Sequence, residues 1–428
     1  MNSKELAQNL AQGLALIGWS KPEITAELCR RLPLKVQRLN EAISLRLLHN
    51  LPSAYAPTVN SIAEALRYVP NFEKVMRYCR RHDVWPNVDL PKTRMLPIAP
   101  FVGLDIPQLT TEAELADWLL IPVEKLAYFA DIHSRSEEHG ETSINHYHYV
   151  HLPKKHTGTR LVEAPKQRLK GIQRQIHRQI IAKVSDHDDA FGFIRGKNCL
   201  QGAARHASEE VVICFDLKDF FPSIGMGRIF GFFRCLGYPP EIARHLTAFC
   251  TTRTPPRILE RMSFEQRSLY RLSHLPQGAP TSPTLANKVT FTLDRRLASL
   301  AQSLDANYSR YADDLSFSGD QKIQKTLLRA VPQIIREEGF QLNGVKTRVM
   351  KNTARQTVTG VVVNSHLNTS RSSFDHLKAV IHACGRDGDT RLRDPAFQSS
   401  LLGQIEWVES VNPRRGQKLR RLLAAASG

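Results

Sequence analysis

Tyr311-Ala312-Asp313-Asp314 stands between two apolar runs, Tyr308 to Tyr311 and Leu315 to Phe317, and this pattern decides how the rest of the chain is read. Apolar segments on both sides of a short polar break predict a β-hairpin whose tight turn carries both acids. Neighbouring turn side chains can converge on one metal position. Adjacent aspartates also suit a plain solvated turn, so the chemistry depends on a further acid. The run Val211-Val212-Ile213-Cys214-Phe215 supplies it, because a continuous apolar segment marks a strand buried on both faces and Asp216 ends it. A carboxylate there is paired with a cation or bound to a metal, since bare burial costs several kcal/mol.

If the two strands are sheet neighbours, Asp216, Asp313 and Asp314 meet. Three carboxylates around two magnesium ions is the arrangement that phosphoryl transfer to a growing nucleic acid requires. Hard oxygen donors select magnesium over zinc, and manganese is expected to substitute.

Composition points the same way. A chain of 428 residues can form two or three cores. Lys and Arg total 59 against 41 Asp and Glu, a formal charge of +18, which attracts polyanions, nucleic acid before an anionic membrane surface. No apolar run approaches the roughly 18 residues of a membrane span, and no basic segment followed by an apolar core opens the chain. A cytoplasmic protein with no membrane partner is expected. The cysteines, from Cys29 to Cys384, form no C-x-x-C pair and are expected as reduced thiols. His146, His148 and His151 match no helical zinc motif.

In chain order, Leu6, Leu10, Leu14 and Ile17 open a series of amphipathic helices that continues through 24–32, 36–48 and 62–79. Arg30, Arg31, Lys35, Arg38, Arg77, Arg80 and Arg81 crowd these helices, as a solvated face or as a nucleic-acid contact. Pro91, Pro97, Pro100 and Pro107 predict a linker or an extended crossing segment. Thr111 and Glu114 form a capping box that opens a helical pair. After a polar loop at 134–141, strands at 147–153 and up to Pro165 flank a cationic turn, Lys154 to Arg160, which either closes on a phosphate or is simply a soluble turn. An amphipathic helix is expected over 168–184 and a short helix around 203–206, while Gly192 and Gly196 allow close backbone approach.

Three strings complete the pattern: Phe215-Asp216-Leu217-Lys218-Asp219-Phe220-Phe221, then Leu275-Pro276-Gln277-Gly278-Ala279-Pro280-Thr281-Ser282-Pro283, then Tyr311-Ala312-Asp313-Asp314. In this order and at these separations the sequence resembles a reverse transcriptase. The finer similarity is to bacterial retron reverse transcriptases, which use a structured RNA as primer and template and make a branched RNA-linked DNA. Val358-Thr359-Gly360 matches their V-T-G signature, within 356–364, where the family begins its thumb. Their N-A-x-x-H signature is met only in part by Gly202-Ala203-Ala204-Arg205-His206, with Gly202 in place of Asn. The resemblance covers about residues 110 to 425, and the N-terminal part is similar in kind to the extensions of longer, myxobacterial-type members.

The resemblance implies an α+β right-hand polymerase of fingers, palm and thumb with an all-α N-terminal extension. The expected boundaries are 1–108 for the extension and Pro-rich linker, 109–355 for fingers and palm, and 356–428 for the thumb. It implies RNA-directed DNA polymerase activity with Asp216, Asp313 and Asp314 catalytic. Lys154 and Arg160 are expected to hold the incoming triphosphate, Phe221 to gate the sugar unless it is a core aromatic, and Gln277 and Gly278 to support the templating base pair. Lys346 is expected near the leaving pyrophosphate unless it is a solvated lysine. Nucleic-acid contacts are implied for Val358, Thr359 and Gly360, and for Arg414, Arg415, Lys418, Arg420 and Arg421, the last five ending a thumb helix or forming a basic tail. The segment Arg253 to Arg271 is expected as a family-specific insertion touching template or RNA backbone. The implied partners are a structured non-coding RNA, the DNA product, deoxynucleoside triphosphates and an effector or toxin protein, in anti-phage defence. The alternatives are another bacterial defence or diversity-generating reverse transcriptase, and a nucleic-acid-binding scaffold or antitoxin with a vestigial site.

Overall fold

The computed structural model describes residues 2–51, 57–85, 93–130, 145–153, 159–260, 262–386 and 389–427. The chain forms two compact units, Met1–Ser185 with Phe221–Leu285, and Asp186–Phe220 with Ala286–Gly428. Among the described residues no helix is long and apolar enough to cross a membrane. All seven cysteines are free.

The first unit opens with five α-helices, α1 (Ser3–Leu14), α2 (Lys21–Arg31), α3 (Asn40–Asn50), α4 (Val59–Arg67) and α5 (Pro70–His82). Their apolar stripes share one core that includes Leu10, Leu28, Leu47, Leu66, Phe72 and Val75. Reciprocal capping boxes start two of them, Asn2 with Glu5 on α1 and Thr58 with Ser61 on α4. The sequence suggested one stretch over 62–79; instead it breaks between α4 and α5, because Pro70 begins a new first turn, where its missing N–H costs nothing. From Thr93 onward the proline-rich segment is an anchored crossing interrupted by a 3₁₀ turn at Ala99–Phe101, and Pro91 lies outside the described residues. Leu96 N–H donates to Gly237 O at 2.8 Å and Ile98 N–H to Cys235 O at 3.0 Å. Gly237 is required there: its φ is +98° and a Cβ would lie 2.4 Å from the Pro97 nitrogen.

Thr111 caps the helix Glu112–Leu119 as its sequence indicated. Strands β1 (Tyr147–Pro153) and β2 (Thr159–Pro165) then pair antiparallel, with Leu152 opposite Arg160. The helix after them ends at Gln179 and gives way to a 3₁₀ turn over Ile181–Lys183, so the span 168–184 is not one helix. The segment expected as an insertion contains two short helices, Pro256–Leu259 and Phe264–Arg271, whose Leu259 and Tyr270 pack on Leu161 of β2.

The second unit is built on a four-stranded antiparallel sheet of β3 (Val211–Asp216), β4 (Asn307–Tyr311), β5 (Asp314–Gly319) and β6 (Arg348–Lys351), in the order β4-β5-β3-β6. Every residue of β3 is buried, as its unbroken apolar run required. A small hairpin follows, β7 (Thr357–Val358) and β8 (Val361–Val362), turned by Thr359 at φ +47° and Gly360 at φ +84°. Two consecutive positive φ values are what a two-residue hairpin with right-handed strand twist needs. The helices Arg371–Cys384, Pro395–Val411 and Pro413–Ser427 close around Phe374, Ile381, Leu401, Ile405 and Leu419.

The short helix expected around 203–206 lies earlier, at Cys199–Ala204, because Asn198 and Gln201 form a capping box upstream. His206 falls beyond it and is fully buried between strands: Nδ1 lies 2.8 Å from Ser318 Oγ on β5 and Nε2 2.7 Å from Ser309 Oγ on β4. Burial first, and the Arg205 charge second, push its pKa from 6.5 to about 3, so the ring is neutral in the fold. In the unfolded chain it protonates below about pH 6.5, so the unfolded state binds the extra proton and stability falls as pH drops from 6.5 toward 3. This amounts to about 2 kcal/mol at pH 5 relative to pH 7. His206→Gln should therefore flatten the acid limb of the stability curve while costing about 1 kcal/mol at pH 7. Denaturant melts from pH 7 to 5 check this, and an unchanged acid slope would show that His206 does not carry it.

Candidate active site

Strand register brings the acids together. Asp216, the last residue of β3, pairs with Asp314, the first of β5, and Asp314 also pairs with Tyr311 of β4. Ala312 and Asp313 form the intervening turn, with Ala312 at φ +57°, and Leu217 N–H donates to Asp313 O at 2.9 Å. Asp216, Asp313 and Asp314 thus sit on adjoining strand ends of one sheet, as their sequence contexts predicted.

The turn is held from beneath by a buried pair. Arg310, at the end of β4, is 1% exposed and Asp294 is 0% exposed, and their side chains make two hydrogen bonds at 2.7 and 2.6 Å. Arg310 also donates to Asn287 Oδ1 at 2.9 Å and to the carbonyl of Ala312 at 3.1 Å. Asn287 in turn donates to Gly192 O at 2.8 Å. A Cβ on Gly192 would lie 2.7 Å from the Ala312 nitrogen, so the glycine permits this backbone approach. Gly192 was legible as a close-approach residue. Arg310, Asp294 and Asn287 were not, since only folding gathers them around the turn.

Crowding by protein atoms, then the charges of Asp313 and Asp216, raise the Asp314 carboxyl to about 6, against the pull of Lys346 and Arg348. Asp314 is nevertheless an exposed residue, so the like-charge repulsion is the firmer cause. Lys346, in the 3₁₀ turn Gly344–Lys346, donates to Asp216 Oδ2 at 2.8 Å, and most of its side chain is exposed. Among the described residues no three His, Cys, Asp or Glu side chains close into a ligand cage. Asp216, Asp313 and Asp314 nevertheless suit a divalent cation chemically: they offer only hard oxygen donors, and their mutual repulsion is what such a cation would relieve.

The first unit holds other expected residues. Arg160 is exposed on β2, with no ion-pair partner among the described residues, while Lys154 lies outside those residues. Phe221 is half-buried in the helical turn Phe220–Ser223. Gln277 and Gly278 follow a segment tied to β2: Glu163 N–H donates to Gln277 O at 2.9 Å. Gly278 has φ +138°, and a Cβ there would lie 2.9 Å from Glu163 O.

Glu163 is a further residue whose role the sequence does not disclose. Its side chain is wholly buried, accepting from Thr254 Oγ1 at 2.6 Å on Oε1 and lying 2.9 Å from His274 Nε2 on Oε2. The other ring nitrogen of His274 lies 2.8 Å from Leu272 O. Both ring nitrogens face oxygen atoms, so the imidazole bridges the Glu163 carboxylate and the Leu272 carbonyl. Thr254 and His274 stand near the two ends of the arginine-rich segment. Glu163 therefore joins β2, that segment and the Gln277-Gly278 loop. The available signal was a lone acid within the strand that ends at Pro165.

The expected nucleic-acid contacts sort by environment. Val358 is fully buried in a core with Val212, Val361 and Val411, so its side chain packs in the fold. Thr359 and Gly360 form the hairpin turn above it. Arg415 donates to Thr369 O at 3.0 Å and lies 4.8 Å over the Phe374 ring, and Arg420 pairs with Glu409 at 2.6 Å. Arg414, Lys418 and Arg421 are exposed, without ion-pair partners among the described residues, and fall at i, i+4 and i+7 on one helical stripe.

The model of the reverse transcriptase (RNA-dependent DNA polymerase) family matches residues 152–364. The Retron Mx65 reverse transcriptase of Myxococcus xanthus is 37% identical over 324 residues, 74% of this chain and 72% of that protein. The Retron Mx162 reverse transcriptase of the same organism is 32% identical over 340 residues, 71% of this chain and 68% of that protein. The Retron Ec86 reverse transcriptase of Escherichia coli is 31% identical over 266 residues, 61% of this chain and 74% of that protein. A palm sheet with these acids, in a chain with these relatives, defines an RNA-directed DNA polymerase, a nucleotidyltransferase of a family that uses divalent metal. The chain belongs to the retron reverse transcriptases.

Two substitutions test the supports. Gly192→Ala should cost about 1–3 kcal/mol through overpacking against the hairpin turn and lower polymerisation. Glu163→Ala, which strands a buried imidazole, should cost about 3 kcal/mol or more and raise KM for template or nucleotide, with Glu163→Gln intermediate. Thermal melts beside steady-state kinetics check both, and wild-type values for either alanine variant would remove it from this scheme.

Proposed function

We propose that the polymerase copies a structured non-coding RNA, serving as both primer and template, into a branched RNA-linked single-stranded DNA, and that it does so in anti-phage defence. The observation that carries the catalytic part is the pairing of Asp216 with Asp314 beside the turn that bears Asp313. The likeness to retron enzymes supports the choice of template. In this reading Asp216, Asp313 and Asp314 would together hold two magnesium ions. When bound, the ions supply an activated hydroxyl nucleophile and charge neutralisation on pyrophosphate.

The chain's own residues do the rest. In the branching step an RNA 2′-oxygen forms a bond to the α-phosphorus of a deoxynucleoside triphosphate, and the bond to pyrophosphate breaks. Lys154 and Arg160 bind the triphosphate through charge-assisted hydrogen bonds. Lys346, held at Asp216 Oδ2, moves to the departing pyrophosphate. Phe221 excludes a ribose 2′-hydroxyl by its bulk, and Gln277 with Gly278 supports the templating pair. Arg414, Lys418 and Arg421 grip phosphates without reading bases. An effector or toxin protein is the expected protein partner.

Asp313→Ala should reduce incorporation of labelled deoxynucleotide on an RNA template to background, and full retained activity would sink the catalytic assignment. Sequencing the nucleic acid that copurifies with the wild-type protein tests the product. A short DNA joined through a 2′ branch to a structured RNA is expected, and recovery of no specific RNA would favour a scaffold role.

A further inference from the structure

The helical bundle carries cations in two distinct situations. Some hold the fold: Arg31 is buried and donates to Glu27 at 2.6 Å and to Asn9, Arg30 pairs with Glu27, and Lys21 and Arg94 reach Glu41 and Glu23. The cations of α5 do not. Lys74, Arg77, Arg80 and Arg81 are all exposed, and none has a hydrogen-bond or ion-pair partner among the described residues.

Their spacing makes this arrangement costly for the helix alone. Lys74–Arg77 and Arg77–Arg80 are i, i+3 neighbours and Arg77–Arg81 is an i, i+4 pair, positions at which like charges destabilise. Attraction to the helix C-terminus favours cations in the last turn and accounts for Arg80 and Arg81, but it does not reach Lys74 or Arg77. Packing explains none of the four, because the buried face of α5 is made by Phe72, Val75, Met76 and Cys79. Beside the stripe runs a groove lined by Ser3, Glu73, Met76, Arg77, Arg80 and Arg81, where one carboxylate faces three guanidinium groups.

We infer that this face of α5 is a second nucleic-acid contact, a phosphate-binding stripe for RNA, separate from the polymerase site. The inference that the ligand is RNA rests on the function proposed above. Three arginines offer planar forks that match phosphate oxygens bidentately. Lys74 to Arg81 spans about 10 Å of helix, enough to follow several phosphates of a backbone rather than one isolated anion. The stripe holds no large apolar side chain of the kind that anchors the centre of a protein interface.

The test uses the full chain and a fluorescein-labelled RNA hairpin with single-stranded arms, read by anisotropy across a salt series. Replacing Arg77, Arg80 and Arg81 together by Gln should weaken binding at least tenfold at low salt. It should also lower the slope of log affinity against log salt by about 2–3, one increment for each phosphate that an arginine no longer neutralises. The thermal midpoint should hold or rise, because repulsion is relieved and the bundle core does not use these side chains. Arg→Lys replacements at the same positions should keep the slope. Unchanged affinity and slope would overturn the inference. So would loss of the folded bundle in the Gln variant, or a loss of affinity confined to a polyglutamate probe, which would mark an acidic protein site. Extension of a short primer–template by the wild-type enzyme is measured separately, so a failure of the polymerase reading is told apart from a failure of this one.

Discussion

Three carboxylates at adjoining strand ends repel one another, and the fold has to hold that repulsion in place before any ligand arrives. Burial first, and this repulsion second, raise the Asp314 carboxyl above its ordinary value. The antiparallel register of β3 and β5 fixes which side chains share the edge; a slip of one residue would send Asp216 to the other face. The Arg310–Asp294 pair, donating onward to the Ala312 carbonyl, fixes the turn from below. Lys346 supplies the compensating charge at Asp216. Removing either partner of the buried pair would leave an uncompensated charge, so these residues act together in keeping the edge electronegative.

The first unit solves a different problem with the same chemistry. Its hairpin is far in sequence from the arginine-rich segment and the Gln277-Gly278 loop, and Glu163 joins all three, the segment through its buried carboxylate and the loop through its backbone N–H. Because a buried acid must have both oxygens satisfied, its geometry is specified more tightly than an apolar contact would be. That specificity holds β2 against the loop in which Gly278 adopts a positive φ.

What the sequence disclosed follows from how locally each feature is encoded. The hairpin acids, the buried strand before Asp216, the capping box at Thr111 and the proline-marked crossing segment are patterns within ten or so residues, and each is found in the structure. The break at Pro70 and the early start of the helix at Cys199 were also local signals, overridden by apolar periodicity that runs across them. Glu163, His274, Asp294 and Arg310 were out of reach for another reason. Each is an ordinary polar residue in an ordinary string, and its role exists only through a partner that the fold delivers.

The same distinction applies within a single basic string. The five cations between Arg414 and Arg421 look alike in sequence, yet helical phase divides them. Arg415 turns toward Thr369 and Phe374 and Arg420 pairs with Glu409 of the preceding helix, whereas Arg414, Lys418 and Arg421 share the outer stripe. Gly416 marks the inward side, where a Cβ would collide with Glu409 at 2.2 Å. Within this string only the outer three are left without a side-chain hydrogen-bond or ion-pair partner among the described residues, while Arg415 and Arg420 are already engaged by the fold. Counting positive residues measures attraction to nucleic acid; only their phase on the helix says which of them are available to meet it.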